Sequence, residues 1–188
     1  MNIIKTNLEG VLLIEPDVFY DQRGFFFESY NQKKYNDLGI NAKFVQDNIS
    51  KSSKGTIRGL HYQIGENAQG KLCSVISGRV LDVAVDIQVG SPTFGNFYAV
   101  ELDGEKKNQL WIPPGFAHGF SVLSDEVIFS YKCTNLYDKS AERAIRFNDP
   151  EINIDWQVEN PIISEKDLKA TFLSQLTKND LFTYSKEL

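Results

Sequence analysis

Between residues 56 and 134 apolar and polar side chains alternate with a period of two, the spacing of pleated strands with one covered face. Leu81, Val83, Val85 and Ile87 interleave with Asp82, Ala84 and Asp86, which predicts a half-buried strand carrying its carboxylates on the other face. Phe116, His118, Phe120 and Val122 share one parity, as do Val127, Phe129, Tyr131 and Cys133. Ser91-Pro92-Thr93 and Asp103-Gly104 mark turns between such runs. Upstream, residues 11–14 form a short apolar strand ended by Glu15-Pro16, and Asp21-Gln22-Arg23-Gly24 turns the chain into Phe25-Phe26-Phe27-Glu28. Residues 31–38 read as a helix, with Asn31 as N-cap and Gly39 as its left-handed stop. Residues 44–48 are extended, residues 51–55 read as a polar loop, and residues 164–176 as a second helix. Many short strands separated by Gly and Pro turns predict an all-β sandwich or jelly roll. No repeat, low-complexity run or linker breaks the pattern, so residues 1–188 are expected to form one domain with a less regular C-terminal third.

Composition narrows the class. A chain of 188 residues with 41% hydrophobic and 24% charged residues is an ordinary globular one, long enough for a sizeable core. Thirteen Phe and eight Tyr suit a β-rich protein and supply rings for stacking on a ligand. A net charge of −5 argues against general nucleic-acid binding, yet an anionic ligand fits wherever the few cations converge. Cys73 and Cys133 lie in strand-like runs without metal-ligand spacing and read as buried, reduced thiols. The first residues lack the apolar core and cleavage site of a signal peptide, and no stretch approaches about 18 apolar residues. No membrane partner is therefore expected, and the cytoplasm is the expected compartment.

Candidate chemistry gathers in Gly55-Thr56-Ile57-Arg58-Gly59-Leu60-His61-Tyr62-Gln63, followed by Gln69-Gly70-Lys71-Leu72. Strict alternation puts Ile57, Gly59, His61 and Gln63 on one face and Arg58, Leu60 and Tyr62 on the other. His61 then projects away from Leu60 and Tyr62, with open space left beside it by Gly59. Imidazole titrates near neutral pH and suits proton transfer. A hydrogen-bonded core histidine fits the same pattern, and the residues alone do not separate the two.

Arg58-Gly59-Leu60-His61-Tyr62-Gln63, Gln69-Gly70-Lys71-Leu72 and Ile112-Pro113-Pro114-Gly115-Phe116-Ala117-His118-Gly119-Phe120 resemble the signature blocks of the dTDP-4-dehydrorhamnose 3,5-epimerase family. Asp21-Gln22-Arg23-Gly24 with Phe27-Glu28, Phe44-Val45-Gln46-Asp47-Asn48, Tyr131-Lys132-Cys133-Thr134 and Ser164-Glu165-Lys166-Asp167 follow in the family's order, from about residue 8 to 170. The resemblance implies a cupin-like jelly roll with a few short peripheral helices. It also implies inversion of C3 and C5 of a nucleotide-linked 4-keto-6-deoxy sugar, with no cofactor and no metal. Asp155-Trp156-Gln157 departs from the family, which usually shows Trp followed by Pro.

The same resemblance assigns roles. His61 is the base and Asp167 the carboxylate that orients its ring; Lys71 is the cation at the developing enolate oxygen; Tyr131 is the acid on the opposite face. Asp82 stands behind this site, although a solvent-facing carboxylate fits its strand equally well. Arg58 binds the diphosphate, with Arg23 and Lys166 as helpers. Phe19 and Phe26 match positions that pack on the nucleotide base, and Glu28, Gln46 and Asn48 supply hydrogen bonds. His118 and Tyr137 match residues near the sugar. The N-terminal segment completes the partner subunit's site, so a homodimer with shared active sites follows. Taken alone, Ser164 to Asp167 also fits a helix capping box, Lys71 a solvated lysine and Tyr131 a core tyrosine.

Three other readings stay open on sequence. A C3-only or C5-only epimerase, or one using another nucleotide sugar, would need the same residues. A metal-dependent cupin oxygenase would gather two or three histidines with a carboxylate, whereas His61 has no nearby second histidine and Lys71 would repel a metal. A non-catalytic sugar-nucleotide module would keep Arg23 and Arg58 without His61, Lys71, Tyr131 and Asp167.

Overall fold

The computed structural model describes residues 1–185, and strands are its dominant regular structure. In chain order they are β1 (Asn2–Lys5), β2 (Leu12–Glu15), β3 (Phe19–Asp21), β4 (Gly24–Phe26), β5 (Gln46–Ser53), β6 (Ile57–Gln63) and β7 (Lys71–Ser77). There follow β8 (Arg79–Asp86), β9 (Gln88–Val89), β10 (Phe97–Asp103), β11 (Gln109–Ile112), β12 (Phe116–Val122), β13 (Glu126–Cys133), β14 (Glu142–Ala144) and β15 (Phe182–Thr183). Two short helices join them, α1 (Gln32–Asp37) and α2 (Glu165–Leu168). A six-stranded sheet in the order β1-β2-β11-β7-β13-β5 faces a five-stranded sheet in the order β10-β8-β12-β6-β14. This is the cupin-like jelly-roll sandwich expected from the sequence.

Period-two patterning explains the layers. Cys73, Val75, Leu110, Val127 and Phe129 from the first sheet meet Val80, Ala84, Phe116, Phe120 and Val122 from the second in a shared core. The intervening Leu81, Val83, Val85 and Ala117 point outward, yet they are buried too. Ile145, Ile152, Trp156 and Leu173 from the C-terminal third cover them. Strand β8 is thus buried on both faces, and Asp82 and Asp86 are enclosed at 0% and 1% exposure. A solvent-facing carboxylate face on this strand is thereby corrected; the missing signal was the distant segment that covers its other side.

Three further local expectations change. The polar residues 51–53 belong to β5, an edge strand whose alternating exposed positions tolerate Lys and Ser. The C-terminal helix ends at Leu168, because Thr171 is drawn into a bridge with Ile145 and its carbonyl accepts from the Arg146 N–H. Gly59 leaves no open space: a Cβ there would lie 2.5 Å from the Gly119 Cα, at a φ of +140°. Helix α1 forms as expected, the Asn31 side chain accepting from the Lys34 N–H and Gly39 following at φ +89°. Both cysteines are free and buried. Gln157 takes a φ of +56°, which proline cannot adopt.

Candidate active site

A cavity lies between the sheets where β5, β7 and β13 face β6, β12 and β14. It has two lobes of about 260 and 230 Å³ that share Asn48, His61, Lys71 and Tyr131 in their walls. One lobe adds Gln46, Tyr137 and Glu142; the other adds Arg58, His118 and Phe120. Strict alternation would have split Arg58 from His61. In the pairing of β6 with β12, His61 lies opposite His118 but Arg58 lies opposite Phe120, so β6 carries an extra residue around Gly59 and Leu60. The bulge turns Arg58 and His61 to the cavity and places Ile57 and Leu60 together in the outer apolar cluster. Ile57 therefore does not share His61's face, which corrects the parity read from sequence. The same register puts His118 directly across from His61, so His61 does have a neighbouring histidine.

His61 Nε2 lies 2.6 Å from Asp167 Oδ1, with the carboxylate side chain 4% exposed and the ring 30% exposed. Asp167 sits in the first turn of α2, where its backbone N–H donates to the Ser164 hydroxyl at 3.1 Å while its side chain turns to His61. Capping and ring orientation thus occupy different atoms of one residue. Burial works against ionisation of Asp167. The bond and charge of His61, with further hydrogen bonds from Ser164 and the Gly59 N–H, nevertheless hold its pKa below the usual carboxylate value. With the proton kept on Nε2, the other ring nitrogen carries the lone pair a base requires.

Lys71 is 9% exposed rather than solvated. Its Nζ donates to the His61 carbonyl at 3.4 Å and lies 5.9 Å from the centre of the Tyr131 ring. Burial lowers its pKa. Tyr131 faces His61 from the opposite sheet, and burial pushes its phenol up to about 12, so it is a proton-bearing acid at neutral pH. His118 Nε2 lies 2.7 Å from Asp82 Oδ1, and burial depresses its pKa against the pull of that carboxylate.

Other expected residues divide into two groups. Arg58 lines the cavity with its Nε donating to the Ser52 hydroxyl at 3.0 Å. Gln46 donates to Asn48 and accepts from the Tyr137 N–H, fixing three cavity positions to one another. Tyr137 donates to Glu142, which also pairs with Lys166 at 2.5 Å on the cavity's rim. Phe19, Arg23, Phe26 and Glu28 do not reach this cavity. They belong to the exposed β3–β4 arm and the segment after it, where Arg23 pairs with Asp21 and Glu28 with Lys34. Glu142 is a charged cavity residue that sequence reasoning missed. It lies on a strand of three residues, too short to show a period, and only pairing with β6 brings it to the site.

Cys73, Asp82 and His118 present donor atoms within 4.8 Å of one another. Their spacing is that of a hydrogen-bonded cluster. The 2.7 Å between His118 Nε2 and Asp82 Oδ1 is well below the roughly 3.3 Å between two donors on a tetrahedral ion, and the Lys71 amine lines the same cavity as His118.

The chain matches the family described as dTDP-4-dehydrorhamnose 3,5-epimerase over residues 5–175. A dTDP-4-dehydrorhamnose 3,5-epimerase from Shigella flexneri is 57% identical over 171 residues, spanning 90% of this chain and 94% of that one. A Salmonella typhimurium protein of the same name is 54% identical over 177 residues, 93% of this chain and 97% of its own. The crystal structure of dTDP-6-deoxy-D-glucose-3,5-epimerase from Legionella pneumophila, in complex with dTDP-4-keto-L-rhamnose, superposes with a TM-score of 0.95 at 50% identity. It covers 98% of this chain and 99% of that one. The match runs through all the strands that build the cavity, and the chain belongs to the dTDP-4-dehydrorhamnose 3,5-epimerase family.

Proposed function

We propose that the cavity inverts C3 and C5 of dTDP-4-dehydro-6-deoxy-D-glucose to give dTDP-4-dehydro-L-rhamnose, in dTDP-L-rhamnose biosynthesis. The observation that carries this reading is the placement of His61 and Tyr131 on opposing sheets across one cavity, with Lys71 beside them. Both carbons flank the C4 ketone, which accepts the electron pair when either C–H bond breaks. His61 takes the proton, the pair moves onto the ketone oxygen, and Lys71 stabilises the resulting enolate. Tyr131 then delivers its phenolic proton to the other face of the carbon and is reprotonated from solvent. His61 gives its proton to solvent, and the cycle repeats at the second carbon.

Arg58 binds the diphosphate with its guanidinium fork, and Lys166 assists at the rim. Gln46, Asn48, Tyr137 and His118 hold the sugar and nucleoside. The nucleotide base stacks on the partner subunit's Phe19 and the partner subunit's Phe26, with Arg23 and Glu28 of the partner subunit beside them. The exposed aromatic arm, set apart from its own chain's cavity, supports such a homodimer. No helix among the described residues is long and apolar enough to cross a membrane, and a nucleotide-linked substrate favours the cytoplasm. Incubation with the dTDP-linked 4-keto-6-deoxy-D-glucose, followed by proton NMR of the ring couplings, tests the assignment. The expected product has both centres inverted; an unchanged sugar would refute it.

A further inference from the structure

Lys71 can stabilise an enolate only while it is an ammonium, and its surroundings oppose that charge. The Lys71 side chain is buried, and the one hydrogen bond its Nζ makes among the described residues is the long one to the His61 carbonyl. A nearby anion would offset that opposition, and the groups facing Lys71 can be taken in turn. From its own strand comes Cys73, and from β13 come Cys133 and Tyr131; burial raises all three, so all are neutral at pH 7. From β6 come His61 and Arg58, and from β12 comes His118, none of them a source of negative charge. Two carboxylates remain, Glu142 on β14 and Asp82 on β8. Glu142 is already engaged by the Lys166 ammonium and the Tyr137 hydroxyl.

Asp82 is different. It is 0% exposed, one oxygen accepts from His118, and the other oxygen, Oδ2, is buried with no hydrogen-bond partner among the described residues. It stands on the core-facing side of β8, in a cluster with His118 and Cys73, the residue one pleat along from Lys71. A buried carboxylate with a free oxygen and a buried amine with almost no acceptor are each costly alone. The two costs offset one another when the charges are mutual counter-ions acting through a dry interior.

We propose that Asp82 is the buried counter-charge of Lys71, a positioning residue that keeps the lysine protonated at the enolate oxygen, with His118 holding the carboxylate in place. This rests on the epimerase reading for its catalytic consequence, but the charge pairing itself belongs to the free protein. Carbon-13 NMR of lysine Cε in the full-length chain, with Lys71→Met to assign the signal, reads the Lys71 titration directly. In Asp82→Asn the midpoint is expected to fall by about one pH unit or more, since removing an anion favours the neutral amine. The alkaline limb of kcat for solvent-deuterium uptake should move down with it, while KM stays within about twofold. A smaller movement is expected in Glu142→Gln. An unmoved Lys71 midpoint in folded Asp82→Asn, or a larger shift in Glu142→Gln, would overturn the pairing.

Should Asp82→Asn unfold, the double variant Lys71→Met/Asp82→Asn decides. Mutual counter-ions predict that it regains stability relative to the single Asp82 variant. Strictly additive losses would show that the two do not interact. Absence of any deuterium uptake by the unaltered protein would refute the epimerase reading and leave the titration result standing.

Discussion

His61 and Tyr131 stand on opposite walls of the cavity, so under the proposed mechanism their substitutions should differ in kind. His61→Ala removes the base, and both isotope exchange and inversion are expected to fall by about 10²–10⁴-fold together. Tyr131→Phe leaves the base intact, so His61 can return a solvent-derived proton to the face it came from. Label uptake should then outlast inversion, as read by deuterium NMR against product configuration; equal losses of both would exclude Tyr131 as the opposite-face acid. Asp167 carries a pH signature as well. Its folded pKa lies below the 3.8 of a free carboxylate, so its stabilisation is present above that value and is lost as pH falls through the lower folded one. Asp167→Asn is expected to lower stability at neutral pH and to flatten the loss below about pH 4, measured by urea unfolding across that range. Parallel curves for the two proteins would contradict the coupling to His61.

The elements show where sequence reading holds and where it stops. Alternation located β8, β12 and β13 because their apolar positions keep a period of two, and Asn31 with Gly39 marked α1 because capping is local chemistry. The bulge in β6 is not local: it exists because Gly59 and Gly119 pack backbone to backbone across two strands far apart in sequence. No count of parity along β6 alone can place Arg58 beside His61. Glu142 and the burial of Asp82 escaped for the same reason, since each depends on a distant segment laid over a short or alternating strand. Motif resemblance, rather than physics along the chain, is what singled out His61, Lys71, Tyr131 and Asp167, since the residues alone favour ordinary core, capping and surface roles for them. The bulge is itself testable. Gly59→Ala would set a methyl 2.5 Å from the Gly119 Cα at a φ of +140° and is expected to cost about 2 kcal/mol or more of stability. A thermal midpoint equal to that of the unaltered protein would show that the strands part without penalty.

In the whole molecule, one jelly roll holds the proposed proton-transfer groups and the proposed diphosphate anchor, while the arm bearing Phe19 and Phe26 projects from it at 64% and 67% exposure. A homodimer would sediment with a mass about twice the 21.4 kDa of the chain. Because Leu13 and Ile14 just before the arm are core residues, the arm is best probed by Phe19→Ala/Phe26→Ala rather than by deletion. That variant should raise KM for the dTDP-sugar with little change in kcat, since it removes binding and none of the chemistry. A fully active monomer would refute the shared site. The central claim, proton transfer at both carbons flanking the ketone, is tested most directly by incubating the unaltered protein with the 4-keto sugar in deuterium oxide. Deuterium is predicted at C3 and at C5 of the inverted product, without added metal or nicotinamide; label confined to one carbon, or absent from both, would contradict it.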